Sequence, residues 1–259
     1  MPASAAPAAF RPLKLLSFNI QAGAKTAEAR EYLTRGWQSV LPHRGKQSNL
    51  DTLAALARDY DCVGLQEADS HSVRSGFRHQ VECLAESAGF PFWSHQRNRA
   101  LTVAAPGNGV LSKIEPSAAL AHRLPGRIPG RGALELRFGE GDTALRLFVV
   151  HLALTPRARG PQIAYLAEAI ADAPHVILMG DLNCEPDASE LGSLFRQTAL
   201  RPAPHLPSYP AWDPERCIDQ ILCSKTLRLR RYEVLGLHIS DHLPVTAEVD
   251  VPEAALGER

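Results

Sequence analysis

The stretch His175-Val-Ile-Leu-Met-Gly-Asp181-Leu-Asn183 decides the reading of this chain. Four apolar residues running into Gly-Asp-x-Asn describe a buried strand that carries polar side chains to its rim. A side-chain period of two puts Asp181 and Asn183 on one face. Further along, Ile239-Ser240-Asp241-His242-Leu243-Pro244-Val245 repeats the theme, a polar tip against an apolar strand. Strand ends carrying Asp, Asn and His together point to a hydrolytic metal site.

The same punctuation recurs earlier. Asn19 ends Leu15-Leu16-Ser17-Phe18, Glu67 follows Val63-Gly64-Leu65-Gln66, and His151 follows Leu147-Phe148-Val149-Val150. Asp219 lies inside Cys217-Ile218-Asp219-Gln220-Ile221-Leu222. Burying an unpaired carboxylate costs several kcal/mol, so each needs a partner, a cation or a catalytic task. Singly, an Asn or Asp at a strand end is a turn cap, and a His after Val-Val is a satisfied rim residue. Asp219 alone would pair with Arg216 or Arg228, and His71, His79, His95 and His122 keep the plain reading. The ensemble is hard to assign to independent caps.

At 259 residues the chain can bury one large core. Lys+Arg and Asp+Glu are 28 each, so no global charge draws it to nucleic acid or to an anionic membrane. A local basic patch remains compatible with that balance. The five cysteines show no CxxC spacing, and reduced thiols in a cytoplasmic protein are the simplest account. Residues 1–11 are Ala- and Pro-rich without a basic n-region, so a signal peptide is not expected. No run approaches the roughly 18 apolar residues of a membrane span. The expectation is a soluble monomer.

Short apolar runs predict strands at residues 13–20, 62–66, 108–112, 133–138, 145–152, 176–179, 218–223, 232–237 and 245–249. Ser48-x-x-Asp51 and Asp187-x-x-Glu190 look like helix-starting capping boxes. Between Pro161 and Pro174, Ile163, Leu166 and Ile170 form one apolar stripe of a third helix. Helices are too few for a strand-helix-strand repeat, which favours two packed, mainly antiparallel sheets with helices outside. The expected layout is a disordered tail over residues 1–12, one domain over 13–250 and a tail over 251–259. Residues 31–47, 89–107 and 201–214 read as long surface loops that set specificity.

The series Ser-Phe-Asn19-Ile, Leu-Gln-Glu67, Gly-Asn108-Gly-Val-Leu-Ser, Val-His151-Leu, Gly-Asp181-Leu-Asn183, Ile-Asp219-Gln-Ile and Ser-Asp241-His242-Leu-Pro-Val resembles the endonuclease/exonuclease/phosphatase (deoxyribonuclease-I-like) superfamily. The resemblance runs from about Leu13 to Val249. It implies an α/β fold, a four-layer α/β/β/α sandwich whose sheets meet at a rim holding a divalent cation and one scissile phosphate. Carried over by motif, Asn19, Glu67 and Asp241 are the metal ligands, Asp241 through water. Asp181 positions or activates the attacking water, Asn183 holds a phosphoryl oxygen, and Asp219 orients His242 toward the phosphate. His151 contacts the phosphate or helps protonate the leaving oxygen. Asn108 sits near the phosphate. Arg131, in Gly-Arg-Gly-Ala-Leu, either neutralises charge there or is simply solvated in its Gly-rich loop. An oxygen-rich donor set also suits Mg²⁺ or Mn²⁺ rather than zinc. Gln21 and His151 depart from the abasic-endonuclease pattern, which steers the reading away from DNA repair.

The function expected is a metal-dependent phosphoesterase acting on a phosphodiester or a small phosphorylated substrate. A DNA or RNA nuclease is the alternative, with Arg97, Arg99, Arg123, Arg127 and Arg131 as a basic groove and Trp93 for stacking. Peripheral membrane contact through Trp37, Leu41 and Trp212 would fit cleavage of phospholipid head groups. A catalytically inactive binding scaffold is opposed by the joint presence of Glu67, Asp181, Asn183, Asp219, Asp241 and His242.

Overall fold

The computed structural model describes residues 9–21, 44–70, 79–98, 106–126 and 130–257, with side chains in the first helix described from Ser48 onward. Eleven strands form two sheets among these residues. The first sheet holds β1 (Phe10–Asn19), β2 (Cys62–Asp69), β3 (Phe92–Arg97), β4 (Pro106–Ser112), β10 (Arg228–Val234) and β11 (Val245–Pro252). The second holds β5 (Ala118–Arg123), β6 (Gly132–Phe138), β7 (Leu145–His151), β8 (His175–Asp181) and β9 (Asp219–Cys223). Their orders are β10-β11-β1-β2-β4-β3 and β5-β6-β7-β8-β9. Only β1–β2 and β7–β8 pair in parallel. The mainly antiparallel two-sheet fold expected from the sequence is the one observed.

Alternation sorts each strand between two cores. On β1, Leu13 and Leu15 face the second sheet, while Leu16 and Phe18 face outward. On β7, Leu147 and Val149 face in, and Phe148 and Val150 face out. Helices α1 (Arg44–Ala57) and α2 (Gln80–Ala88) cover the first sheet with Leu53, Val81 and Leu84. Helix α3 (Pro156–Ile170) covers the second with Ile163, Leu166 and Ile170. A short α4 (Leu191–Gln197) adds Leu191 and Leu194. Gly64 lets the sheets approach closely, because a Cβ there would lie 2.7 Å from Met179 Cε.

Several boundaries differ from the sequence expectation. β1 already begins at Phe10, and β11 continues to Pro252, with Val251, Ala255 and Leu256 buried behind it. The segments assigned to tails therefore contribute strand and core. Strand β3 occupies part of the presumed loop 89–107, and β5 was also missed; half-exposed sequences such as Phe-Trp-Ser-His-Gln-Arg lack a continuous apolar run. Ser48 lies inside α1, which starts at Arg44, so it caps nothing. Glu190 precedes α4 without a side-chain cap, and Pro161 falls inside α3, whose first turn carries Pro156 instead. Trp37, Leu41, His71, Arg99 and Arg127 lie outside the described residues, as do residues 31–43 of the presumed loop 31–47, whose last four residues belong to α1.

One ionic cluster ties α3 to the second sheet. The fully buried Glu135 carboxylate accepts from Arg146 Nε and Arg137 Nε, both at 2.6 Å, and contacts His122 Nε2 at 2.7 Å. Arg146 also donates to Ala169 O, and His122 Nδ1 meets Tyr165 OH, both partners on α3. Burial opposes the charge, but the Arg146, Arg137 and His122 hydrogen bonds win and hold the carboxyl down at about 2. A depressed folded-state pKa means the stabilisation is complete above the ordinary carboxylate range and is lost as pH falls toward that value. Glu135→Gln should therefore lower unfolding free energy at pH 7 by about 1–3 kcal/mol, a range that allows for half-exposed Arg137. The gap from wild type should close progressively below about pH 4.5. Equal urea midpoints at pH 7 would show that the cluster contributes nothing.

Candidate active site

Strand register lines up the polar rim of the second sheet. His151 lies beside Asp181 across β7–β8, and Asp181 lies beside Asp219 across β8–β9. Each continues an inward-facing series, Val149–His151, Met179–Asp181 and Asp219–Ile221, so all three side chains enter the space between the sheets. Gly180 makes this possible at β8: its φ is 146°, and a Cβ there would collide with Val150 O. In the first sheet Asn19 extends the inward series Leu13, Leu15 to the same rim.

Asp181 is the hub. Its Oδ2 accepts from Asn19 Nδ2 at 3.2 Å and lies 3.3 Å from His151 Nε2 and 3.9 Å from His242 Nε2. Its Oδ1 accepts from the Asn183 backbone N–H at 2.9 Å. Burial, then repulsion from Asp219, pushes its carboxyl well above the usual carboxylate range, with His242 opposing. His151 is kept neutral, first by burial and then by the charges of Arg131 and His242. Its approach to Asp181 is thus a contact of a neutral imidazole rather than an ion pair.

His242 behaves in the opposite way. Burial favours the neutral ring, yet Asp219, Asp181 and Asp241 outweigh it and raise the imidazole to about 10. Asp219 Oδ2 meets Nδ1 at 2.8 Å and also accepts from Ser208 Oγ at 2.6 Å. Tyr209 packs on the imidazole at a ring-centroid distance of 4.7 Å. The expected Asp219–His242 pairing is present. Ser208 and Tyr209 were missed, being carried by a Pro-rich tract with no periodic signal; the one clue was that a buried Asp219 needs more than one donor.

Asn19, Glu67 and Asp241 gather at the first sheet's rim. Glu67 sits at a register shift between β2 and β4 with φ of 57°, a bulge that re-aims its side chain. Ser240 Oγ donates to Asn19 O at 2.7 Å and lies 3.2 Å from Asp241 Oδ1, joining the first strand to the turn before the last. Burial raises the Asp241 carboxyl, and Glu67 adds repulsion. Two carboxylates repelling each other beside an amide oxygen form an all-oxygen donor set that a hard divalent cation would relieve, so these residues fit such an ion. Asp181, Asp219 and His242 are also close enough to surround an ion. There the protonated His242 is itself the cation, and a charged imidazole has no lone pair for a metal.

The remaining expectations divide. Asn183 is not held by strand alternation, because β8 ends at Asp181 and Asn183 adopts a left-handed φ of 54°. Its backbone N–H turns back to Asp181, and its Nδ2 donates to Leu152 O at 3.0 Å. Asn108 is fully buried and donates to Gly132 O at 2.7 Å and Val149 O at 3.3 Å, tying the two sheets. That leaves it no donor for a phosphoryl oxygen, contrary to the expectation. Arg131, its charge opposed by burial, interacts with Asp181 and Glu67 and so faces the site. It lines a cleft of about 950 Å³ with Glu67, His151, Leu154, Arg157 and Gln162.

None of the described helices is long and apolar enough to cross a membrane, and all five cysteines are unpaired. No curated protein matches the chain. Among solved structures, a mannosyl-6-phosphatase from Bacteroides thetaiotaomicron is 17% identical, with 92% of this chain and 99% of that one covered and a TM-score of 0.64. Sphingomyelinase C from Streptomyces griseocarneus is 20% identical over 92% of this chain and 99% of that one, at a TM-score of 0.61. Beta toxin from Staphylococcus aureus is 16% identical over 91% and 99%, at 0.63. These likenesses establish a shared fold. The sequence profile of the Endonuclease/Exonuclease/phosphatase family, most of whose members hydrolyse phosphoesters, matches residues 16–242, and the chain belongs to that family.

Proposed function

We propose that this protein is a divalent-metal-dependent phosphoesterase that cleaves a small phosphorylated substrate, a diester or monoester, by attack of a water positioned at Asp181. The observation that carries the reading is the convergence on Asp181 of Asn19 from β1, His151 from β7 and His242 from the turn before β11, next to the oxygen donors Glu67 and Asp241. A phosphatase and a sphingomyelinase on the same fold support the phosphoester class without choosing the ester. The cleft volume of about 950 Å³ falls within the usual range for small ligands, which favours a small substrate over a long polyanion.

In this reading Asn19, Glu67 and Asp241 hold Mg²⁺ or Mn²⁺, which when bound polarises a phosphoryl oxygen. Asp181 Oδ2 takes the proton of the attacking water as the new P–O bond forms. His242, held charged and aimed by Asp219, donates through Nε2 to the phosphoryl group and supplies a proton as the ester P–O bond breaks. Neutral His151 offers a hydrogen bond rather than a proton. Arg131 balances phosphate charge at the mouth of the cleft. The free N–H of the Asn183 amide holds a phosphoryl oxygen.

Asp181→Ala and His242→Ala should each lower turnover about 10²-fold or more with circular dichroism unchanged. Wild-type turnover in either folded variant would remove that residue from the mechanism. Stripping with EDTA should abolish hydrolysis of bis-p-nitrophenyl phosphate or p-nitrophenyl phosphate, and Mg²⁺ or Mn²⁺ should restore it. Asp241→Asn should raise the metal concentration required by about 10-fold or more, and full activity in EDTA would refute metal dependence. For a small substrate, kcat/KM should change little between about 50 and 200 mM salt. A steep loss confined to DNA or RNA cleavage would instead favour the nuclease.

A further inference from the structure

Away from the hydrolytic cluster, Glu185, His205 and Cys217 bring a carboxylate oxygen, an imidazole nitrogen and a thiol sulfur within 4.8 Å of one another. They come from two segments that leave the core side by side. Glu185 follows β8 by four residues, while His205 and Cys217 belong to the irregular tract between α4 and β9. The segments are already laced together: Cys217 N donates to Glu185 Oε2 at 3.0 Å, and Leu182 N donates to Ile218 O at 2.8 Å. His205 is exposed, and its ring has no hydrogen bond or ion pair among the described residues.

The donor set is chemically unlike the rim of oxygens around Glu67. A thiol, an imidazole and one carboxylate are what zinc-class ions take, usually with four ligands in all. The local charge agrees. Glu185 and Asp187 place negative charge beside the Cys217 sulfur, which a bound cation would offset. Arg216 Nε lies 3.9 Å from Glu185 Oε1, but its half-exposed side chain can turn to solvent and leave the carboxylate to an ion.

The geometry points to a second metal site, for a zinc-class ion, held by Glu185, His205 and Cys217 with a fourth position open to water. Binding forms a metal–sulfur bond as the thiol proton leaves to solvent. The ion would clamp the tract at His205 to the exit of β8. Ser208 and Tyr209 follow at once, and they support Asp219 and His242. An occupied site therefore stiffens the support of the catalytic imidazole from outside the catalytic cluster.

Titrating metal-stripped protein with Co²⁺ tests this directly, because only a thiolate ligand gives an intense sulfur-to-cobalt charge-transfer band in the near ultraviolet. The band should grow to saturation with equimolar Co²⁺ and be displaced by Zn²⁺. It should be absent in Cys217→Ser and in His205→Ala, the latter a surface change that leaves folding undisturbed. It should survive in Asp241→Asn, which separates this site from the oxygen donors at the rim. No band at saturating Co²⁺, or a band that persists in either Cys217→Ser or His205→Ala, would overturn the assignment.

Discussion

Asp181 is a carboxylate with almost no contact with water, and a charge in that position persists only where donors and cations surround it. Asn19 supplies an amide from the first sheet, and the Asn183 backbone supplies an N–H from the turn. His242 adds a positive charge from the approach to the last strand. No local segment could satisfy Asp181 alone. The requirement to balance this one buried group links β1, β8 and the turn before β11, and it keeps their ends in one place.

The sandwich delivers those ends by ordinary means. Period-two alternation carries the inward faces of β7, β8 and β9 to His151, Asp181 and Asp219 in adjacent register. Close approach of the sheets depends on Gly64 against Met179, and Asn108 bridges the gap with two hydrogen bonds. Where the regular pattern does not aim a side chain correctly, the backbone departs from it. The non-glycine residues with positive φ among the described residues are Gln21, Glu67 and Asn183, all at this rim. Strain concentrated there is expected where position matters more than local stability.

Much of this was legible in the residues. Apolar runs ending in Asp181, His151 and Asn19 revealed both the strands and the rim, because burial on both faces leaves continuous hydrophobic stretches. Strands β3 and β5 were not legible, since their exposed residues break the pattern. For Asn108 the resemblance implies phosphate contact, whereas three-dimensional packing spends its amide N–H groups on Gly132 and Val149. Glu67 was legible as a polar residue but its bulge was not, because a one-residue shift in pairing leaves no mark on composition. Ser208 and Tyr209 became relevant only once the fold brought a Pro-rich tract under Asp219.

In the proposed mechanism two neighbouring polar groups divide the labour: oxygen donors at Asn19, Glu67 and Asp241 hold the cation, and the Asp181–His242–Asp219 network moves protons. Anomalous diffraction from crystals soaked in Mn²⁺ measures this division most directly. An anomalous peak is expected among Asn19, Glu67 and Asp241, with none enclosed by Asp181, Asp219 and His242. A peak coordinated by the His242 imidazole, with Glu67 and Asp241 left bare, would contradict it.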